Sequence, residues 1–288
     1  MTEQSDTRIA VLDATLDEVL DDRREDRGLI GRVVGAVTGA PSAEDLAALP
    51  QDLFAVVDAL ESSAALRRAV TDPGASEDRR RQLVHSVLDG KVSKAAAGIV
   101  AEAAARRWSS GRTMTAAVER QAVRAELAQA ERDGALEETE DELFRFARLV
   151  ESSPALRDAL GNRAVPAANR QALVDDLLAS RSGRATVALA KRAVTAHDRT
   201  LGHTLEGYVT LAAKQKNRVV ATVRVARPLE ADQRTRLQAA LARQVGREVV
   251  LQEVIDPDVL GGVRVELGDE VVEGTVANRL DEVRHLFG

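Results

Sequence analysis

The residues able to do chemistry come first. Four histidines are present, His85, His197, His203 and His285, and no two stand at metal-ligand spacing. They read as surface or cap residues, not as a metal centre. Carboxylates crowd together at Glu137-Glu138 and Glu140-Asp141-Glu142. General acid–base work needs two such groups in one pocket, whereas a run along a helix is a solvated face. Gly28, Gly31, Gly35 and Gly39 have the look of a phosphate cradle, but no Gly-Lys-Ser/Thr follows them, so the stretch reads as a loose helix or linker. A Gly-x-Ser-x-Gly nucleophile elbow is also missing. Trp108, the single tryptophan, follows Arg106-Arg107 and reads as the anchor of a helix end. Arg79-Arg80-Arg81 reads as a helix face answering Glu77 and Asp78. With no cysteine, thiolate chemistry and disulfides are excluded. The expectation is a protein with no catalytic residues, no cofactor and no metal.

The elements that would position any site are helices. Of 288 residues, 44% are hydrophobic and only 2% aromatic, so the cores must be built from Ala, Leu and Val. Small side chains let helices approach closely and favour bundles. The formal charge of −6 leaves no basic excess to neutralise a nucleic-acid backbone. The N-terminus lacks the basic and apolar regions of a signal peptide, and the longest apolar tract, 28–40, is too short to cross a bilayer. These features predict a soluble chain that reaches a membrane only through partners.

The helical region repeats. Glu61-Ser62-Ser63-Ala64-Ala65-Leu66-Arg67 returns as Glu151-Ser152-Ser153-Pro154-Ala155-Leu156-Arg157, an offset of 90 residues that holds without a gap. Arg80 then meets Arg170, and Leu83-Val84 meets Leu173-Val174. Periodicity, breakers and caps predict helices over 43–60, 64–71, 77–88, 94–108 and 113–133, then over 136–150, 154–160, 166–179, 184–196 and 201–216. The helix over 113–133 closes one copy and opens the next. An amphipathic helix also precedes the array, with Ile9, Leu12, Leu16 and Leu20 on one face.

After Asn217 the period changes. Val219, Ala221, Val223 and Val225 alternate as a strand, 230–245 returns to helical spacing, and 249–255 alternates again, which predicts a βαβ unit. Gly261-Gly262 offers φ > 0 or a close backbone approach. Val263, Val265 and Leu267 form another strand face, and Gly268-Asp269 signals a hairpin. Gly274 is expected to break the returning strand, with Thr275 capping a helix over 275–287.

These last residues carry a resemblance. Leu260-Gly261-Gly262-Val263-Arg264-Val265, then Gly268-Asp269-Glu270-Val271-Val272-Glu273-Gly274-Thr275, then Arg279-Leu280, are similar to the C-terminal signature of the delta subunit of F-type ATP synthases, the oligomycin-sensitivity-conferring protein family. The resemblance covers 113–288 and picks out Gly261, Gly262, Arg264, Gly268, Asp269, Gly274 and Leu280 as the structural motif of the stalk domain. It implies a non-catalytic stator subunit, peripheral on the cytoplasmic side of the cell membrane. Its helical domain would grip the alpha (and beta) subunits of the catalytic head, and its C-terminal domain the b-type peripheral stalk. In the family an alpha-subunit helix lies between the first and fifth helices of the domain. Here that implies a groove lined by Ala122, Ala125 and Ala128 on one side and Val187 and Ala190 on the other. Against the short family form, residues 1–112 are additional, as in longer actinobacterial versions.

The expected fold is thus mostly α, a duplicated helical bundle followed by a βαβ-hairpin-helix unit. Its parts are an N-terminal extension (1–42), an extra helical copy (43–112), a bundle resembling the family domain (113–217) and an α+β stalk-binding domain (218–288). Two other readings stand beside it. A helical repeat adaptor of another assembly explains 43–216 but not the glycine signature. A nucleic-acid-binding helical protein explains the arginines but not the acidic balance.

Overall fold

The computed structural model describes residues 2–21, 42–196, 200–216, 218–227, 229–246, 248–255, 262–267 and 270–275. The chain divides into two compact units, Met1–Lys216 and Asn217–Gly288. It is mostly helical, and among the described residues the strands all lie in the second unit.

In the first unit, α1 (Thr2–Asp21), α2 (Ala43–Ser62), α3 (Ala64–Val70), α4 (Glu77–Leu88) and α5 (Lys94–Ala105) lead to the long α6 (Gly111–Arg132). There follow α7 (Leu136–Ser152), α8 (Pro154–Gly161), α9 (Ala167–Leu178), α10 (Arg184–Ala193) and α11 (Leu201–Lys216). Hydroxyl caps set the starts. Ser63 and Ser153, 90 residues apart, accept from the backbone N–H of Leu66 and Leu156, and Pro154 takes the first turn of α8. At its C-terminal end, α6 is closed by Gly134 at φ +71°, with the Ala135 N–H donating back to the Ala130 carbonyl at 2.8 Å.

Two cores result. Leu49, Leu53 and Val57 of α2 meet Ala96, Ile99 and Ala103 of α5 in the first. Leu143 and Phe146 of α7 meet Leu189 and Ala193 of α10 in the second. The shared helix α6 contributes to both, sending Met114, Val118 and Ala122 one way and Val123 and Leu127 the other. Helix α1, from the stretch expected as an N-terminal extension (1–42), packs into the first bundle. Leu12 and Leu16 are fully buried in the first core, and α1 packs on α5 and α6 as α6 packs on α10 and α11.

Helix bounds differ where side chains end them. The helix expected to reach Trp108 stops at Ala105, because Arg106 turns extended and the Trp108 indole N–H donates to the Ala103 carbonyl at 2.7 Å. Pro50, inside α2, is buried without ending it.

In the second unit, β1 (Arg218–Val225), α12 (Ala231–Val245), β2 (Glu248–Ile255), β3 (Gly262–Leu267) and β4 (Glu270–Thr275) build a sheet of order β2-β1-β3-β4. β1 runs parallel to β2 and antiparallel to β3, and β3 is antiparallel to β4. Ala221, Val223, Val249, Leu251 and Val265 share one buried face, covered by Leu241 of α12. Gly274 and Thr275 do not break the chain into a helix. Both are strand residues, paired with Val263 and Gly262, because β3 extends its ladder that far. The rest of the expected helix over 275–287 lies outside the described residues.

Candidate docking surfaces

The five residues expected to line a head-binding groove divide by burial. Ala122, Ala125, Ala128 and Ala190 are all buried. A periodic alanine face packs a bundle interior as readily as it admits a partner helix. Val187 alone is half-exposed. It lines a cavity of about 640 Å³ with Phe54 and Asp58 of α2 and Ala188, Lys191 and Arg192 of α10. A second cavity, of about 430 Å³, opens between α1 and α5, with Val19, Gly98, Ile99 and Glu102 in its wall.

The ring of Phe54 carries the Arg192 guanidinium 5.1 Å from its centroid. Arg192 also pairs with Asp58 at 2.5 Å and with Glu119 at 2.7 Å, and its side chain is only 7% exposed. Burial would lower its pKa, yet the two carboxylates hold it above the ordinary arginine value. The two bundles are thereby clamped from α10 to α2 and α6.

Helix α1 is held by a second cluster. Arg124, nearly buried, reaches Asp13 at 3.0 Å and Asp17 at 2.7 Å, and Arg120 donates to Asp13 at 2.8 Å. Burial pushes the Asp13 carboxyl up, but the Arg120 hydrogen bond and the Arg124 charge bring it below the usual value. Glu126 has the opposite balance. It is fully buried, its nearest cation is Arg184 at 3.8 Å, and Oε1 has no hydrogen-bond partner. Burial first, then the nearby Asp133, raise its pKa, outweighing Arg184. Burial likewise pushes the Tyr208 phenol up.

Two sets of polar residues looked like surface and are not. Arg80 is buried and donates to four carbonyls, of Ala104 at 2.6 Å, Ala105 at 2.6 Å, Ala75 at 2.5 Å and Asp72 at 3.2 Å. Its counterpart Arg170 donates to the carbonyls of Val194, Val165 and Leu160. Those of Val194 and Val165 stand 90 residues beyond the Ala104 and Ala75 carbonyls. Glu142, from the acidic run, is also buried and accepts from the Gly183 N–H at 2.9 Å, as Asp52 accepts from the Ser93 N–H at 2.7 Å. The signal that could have found them was the gapless offset itself, which already paired Arg80 with Arg170. Arg81 does lie on the surface, paired with Asp78 and Glu102.

His85 and His203 are exposed, beside Asp89 and Glu206. His197 and His285 lie outside the described residues. Among the described residues no group of three or more His, Cys, Asp or Glu could hold a metal ion, and no helix is long and apolar enough to cross a membrane. Of the glycine signature, Gly262, Arg264 and Gly274 fall in β3 and β4. Gly262 is a strand residue facing Thr275, and the left-handed glycines among the described residues are Gly90, Gly134 and Gly246. Gly261, Gly268, Asp269 and Leu280 lie outside the described residues.

What the molecule offers is helical surface, clamped bundles and a small mixed sheet, the equipment of a binding scaffold. The comparisons agree. The model of the ATP synthase delta (OSCP) subunit family matches residues 118–286. ATP synthase subunit delta of Kineococcus radiotolerans is 45% identical over 83% of this chain and 87% of its own length. The subunit delta of Parafrankia sp. is 44% identical over 84% and 87%, and that of Thermobifida fusca 41% over 85% and 91%. A chain in the structure of the Toxoplasma gondii mitochondrial ATP synthase hexamer aligns with 57% of this chain and 94% of its own, at 21% identity and a TM-score of 0.26, too low to transfer any geometry. The chain belongs to the ATP synthase delta (OSCP) subunit family. It is a non-catalytic stator subunit of the peripheral stalk.

Proposed function

We propose that the two compact units divide the work of a stator clamp. The helical unit, 2–216, holds the alpha and beta subunits of the catalytic head, and the sheet unit, 218–275, holds the end of a b-type stalk subunit. The clamp keeps the head from turning with the rotor on the cytoplasmic side of the cell membrane, and it acts by binding alone. The observation that carries this reading is the family match together with the division of the chain at Lys216. Resisting torque calls for rigid joints between docking surfaces, and the Arg192 and Arg124 ion-pair clusters are of that kind.

The helical unit reads as a duplication, with 43–112 an added copy of the bundle that ends at 216. Supporting this are the matched caps at Ser63 and Ser153, the matched buried guanidiniums of Arg80 and Arg170, and the matched Asp52 and Glu142 clips. Helix α1 (Thr2–Asp21) belongs with that copy, since it takes the place of a first helix. Of the glycine signature, Gly262, Arg264 and Gly274 serve the sheet unit as residues of the β3–β4 ladder.

The test is a chain ending at Lys216, expressed in place of the full one. Head subunits should still copurify with it and the b-type subunit should be lost. Retention of the b-type subunit at full-length levels would overturn the division of labour.

A further inference from the structure

The joint between the two bundles buries one acid. Glu126 stands on the shared helix α6, and its side chain is 1% exposed. Helix α2 of the first bundle brings a neutral group to it, Gln51, whose Nε2 donates to Oε2 at 3.5 Å. Helix α10 of the second bundle brings a cation, Arg184, at 3.8 Å. Just beyond α6 itself, Asp133 lies 3.6 Å from the same guanidinium. Arg184 is 56% exposed and shared between two carboxylates, so it supports the Glu126 charge only weakly. Among the described residues, Oε1 of Glu126 has no hydrogen-bond partner, and neither has the buried Oε1 of Gln129, three residues along the same side of α6.

The 90-residue register supplies a control. Ninety residues on from Glu126 stands Lys216, at the end of α11, and ninety on from Gln51 stands Asp141 of α7. Lys216 is 44% exposed and pairs with Glu137 at 2.8 Å and Glu140 at 3.5 Å. That place in the second bundle holds a solvated charge with its partners. In the first bundle it holds an acid enclosed between α2 and α10. Enclosure favours the neutral form: burial raises the pKa of Glu126 above the ordinary 4.5, Arg184 opposes this, and Asp133 adds to it. The neutral form also carries an O–H, a donor in a place where two acceptors have none. If α2 and α10 move apart, water reaches the carboxylate and the preference for the proton is lost. Opening is then coupled to proton release. The other carboxylates of the joint, Asp58 and Glu119, grip Arg192, and Asp133 faces Arg184. Protonating any of these three would weaken the joint, an effect of opposite sign.

We infer that the joint between the bundles is proton-linked through Glu126: the closed joint holds a proton there, opening releases it, and the helical unit stiffens as its surroundings acidify. The device is internal to the helical unit and holds whichever partners that unit grips. It is therefore distinguishable from the stator reading, which the chain ending at Lys216 tests separately.

The test is amide hydrogen exchange of the full-length chain, read by mass spectrometry from about pH 5 to about pH 8 and corrected for the intrinsic exchange rate. Opening constants in α2 and α10 should rise with pH, by about threefold or more over that range and by no more than about tenfold per pH unit, the limit for one proton. Glu126→Gln should hold both helices at the protection seen on the acid side and remove the pH dependence. Arg184→Gln removes the cation that favours the carboxylate and should move the dependence to higher pH. Circular dichroism of that variant should be unchanged, because the Arg184 side chain is more than half exposed. Opening constants that stay level or fall as pH rises would sink the inference. So would a pH dependence that survives in Glu126→Gln, or an Arg184→Gln profile that superposes on that of the parent chain.

Discussion

The two bundles are alike inside and unlike outside. Both seat an arginine, Arg80 or Arg170, against the backbone carbonyls that end a neighbouring helix, and both tie a carboxylate to the start of their fifth helix. Those groups close hydrogen bonds that helix ends cannot close themselves, so their geometry is fixed by the fold. Their surfaces have diverged. Phe54 lies under Arg192 and Phe144 is open; Asp58 has become Arg148. Their first helices differ too. In the first bundle α1 is held to α6 by a satisfied charge cluster, whereas in the second the α6–α10 contact contains Glu126 with its nearest cation at 3.8 Å. Interior polar contacts resist change because removing one partner strands the other.

The largest expected effect tests the shared interior. Arg80→Met leaves four carbonyls without their donor and should destabilise the helical unit by about 3–4 kcal/mol in urea unfolding. Arg170→Met, with three carbonyls at stake, should cost about 2–3 kcal/mol. A loss below about 1 kcal/mol for both would show these guanidiniums to be incidental.

Next is the joint. Arg192→Met removes the link between α10 and the pair Asp58 and Glu119, and should cost about 2 kcal/mol. The distinctive readout is faster amide exchange in α2 and α10, with the α4 and α9 interiors unchanged.

The two first-helix contacts respond oppositely to pH. Asp13 has a lowered folded pKa, so its contribution is fully present above about pH 3.8 and is lost as pH falls through the still lower folded value. Asp13→Asn should therefore destabilise at pH 7 by about 1–2 kcal/mol and converge with the parent chain in acid. Glu126 has a raised folded pKa, so it costs stability as pH rises above about 4.5. The smallest effect follows: Glu126→Gln should stabilise the chain at pH 7, by up to about 1 kcal/mol, with the difference vanishing below pH 4.5. Destabilisation at pH 7 would mean that the ionised carboxylate is worth more to the fold than its burial costs.

Much of the fold was legible because its signals are local. The starts at Ser63, Ser76 and Ser153, the change of period after Asn217 and the alternation of Val219 to Val225 each rest on neighbours within one turn or one strand. Docking surfaces were less legible. Ala122, Ala125, Ala128 and Ala190 fit a groove and a core equally well by spacing, since small residues serve close helix packing in both. Gly274 was expected to break a strand, and only the partner strand β3 keeps it extended. Arg80 stands in a run of three arginines after two acids, which locally is a solvated helix face. Only the helix ends folded against it make it an interior residue.

By itself the sequence determined the helical array and its 90-residue register, the small α+β unit after it, and the family signature in 260–280, because composition, period and motif are properties of the chain alone. Tertiary structure decided which side of each helix meets solvent. It drew α1 into the first bundle through Leu12, Leu16 and the Arg124 cluster, buried the alanines, and left Phe144 open where Phe54 is covered. The reason is physical: burial depends on which other helix arrives, and residues up to 134 positions apart, as in the Arg192–Asp58 pair, set that outcome.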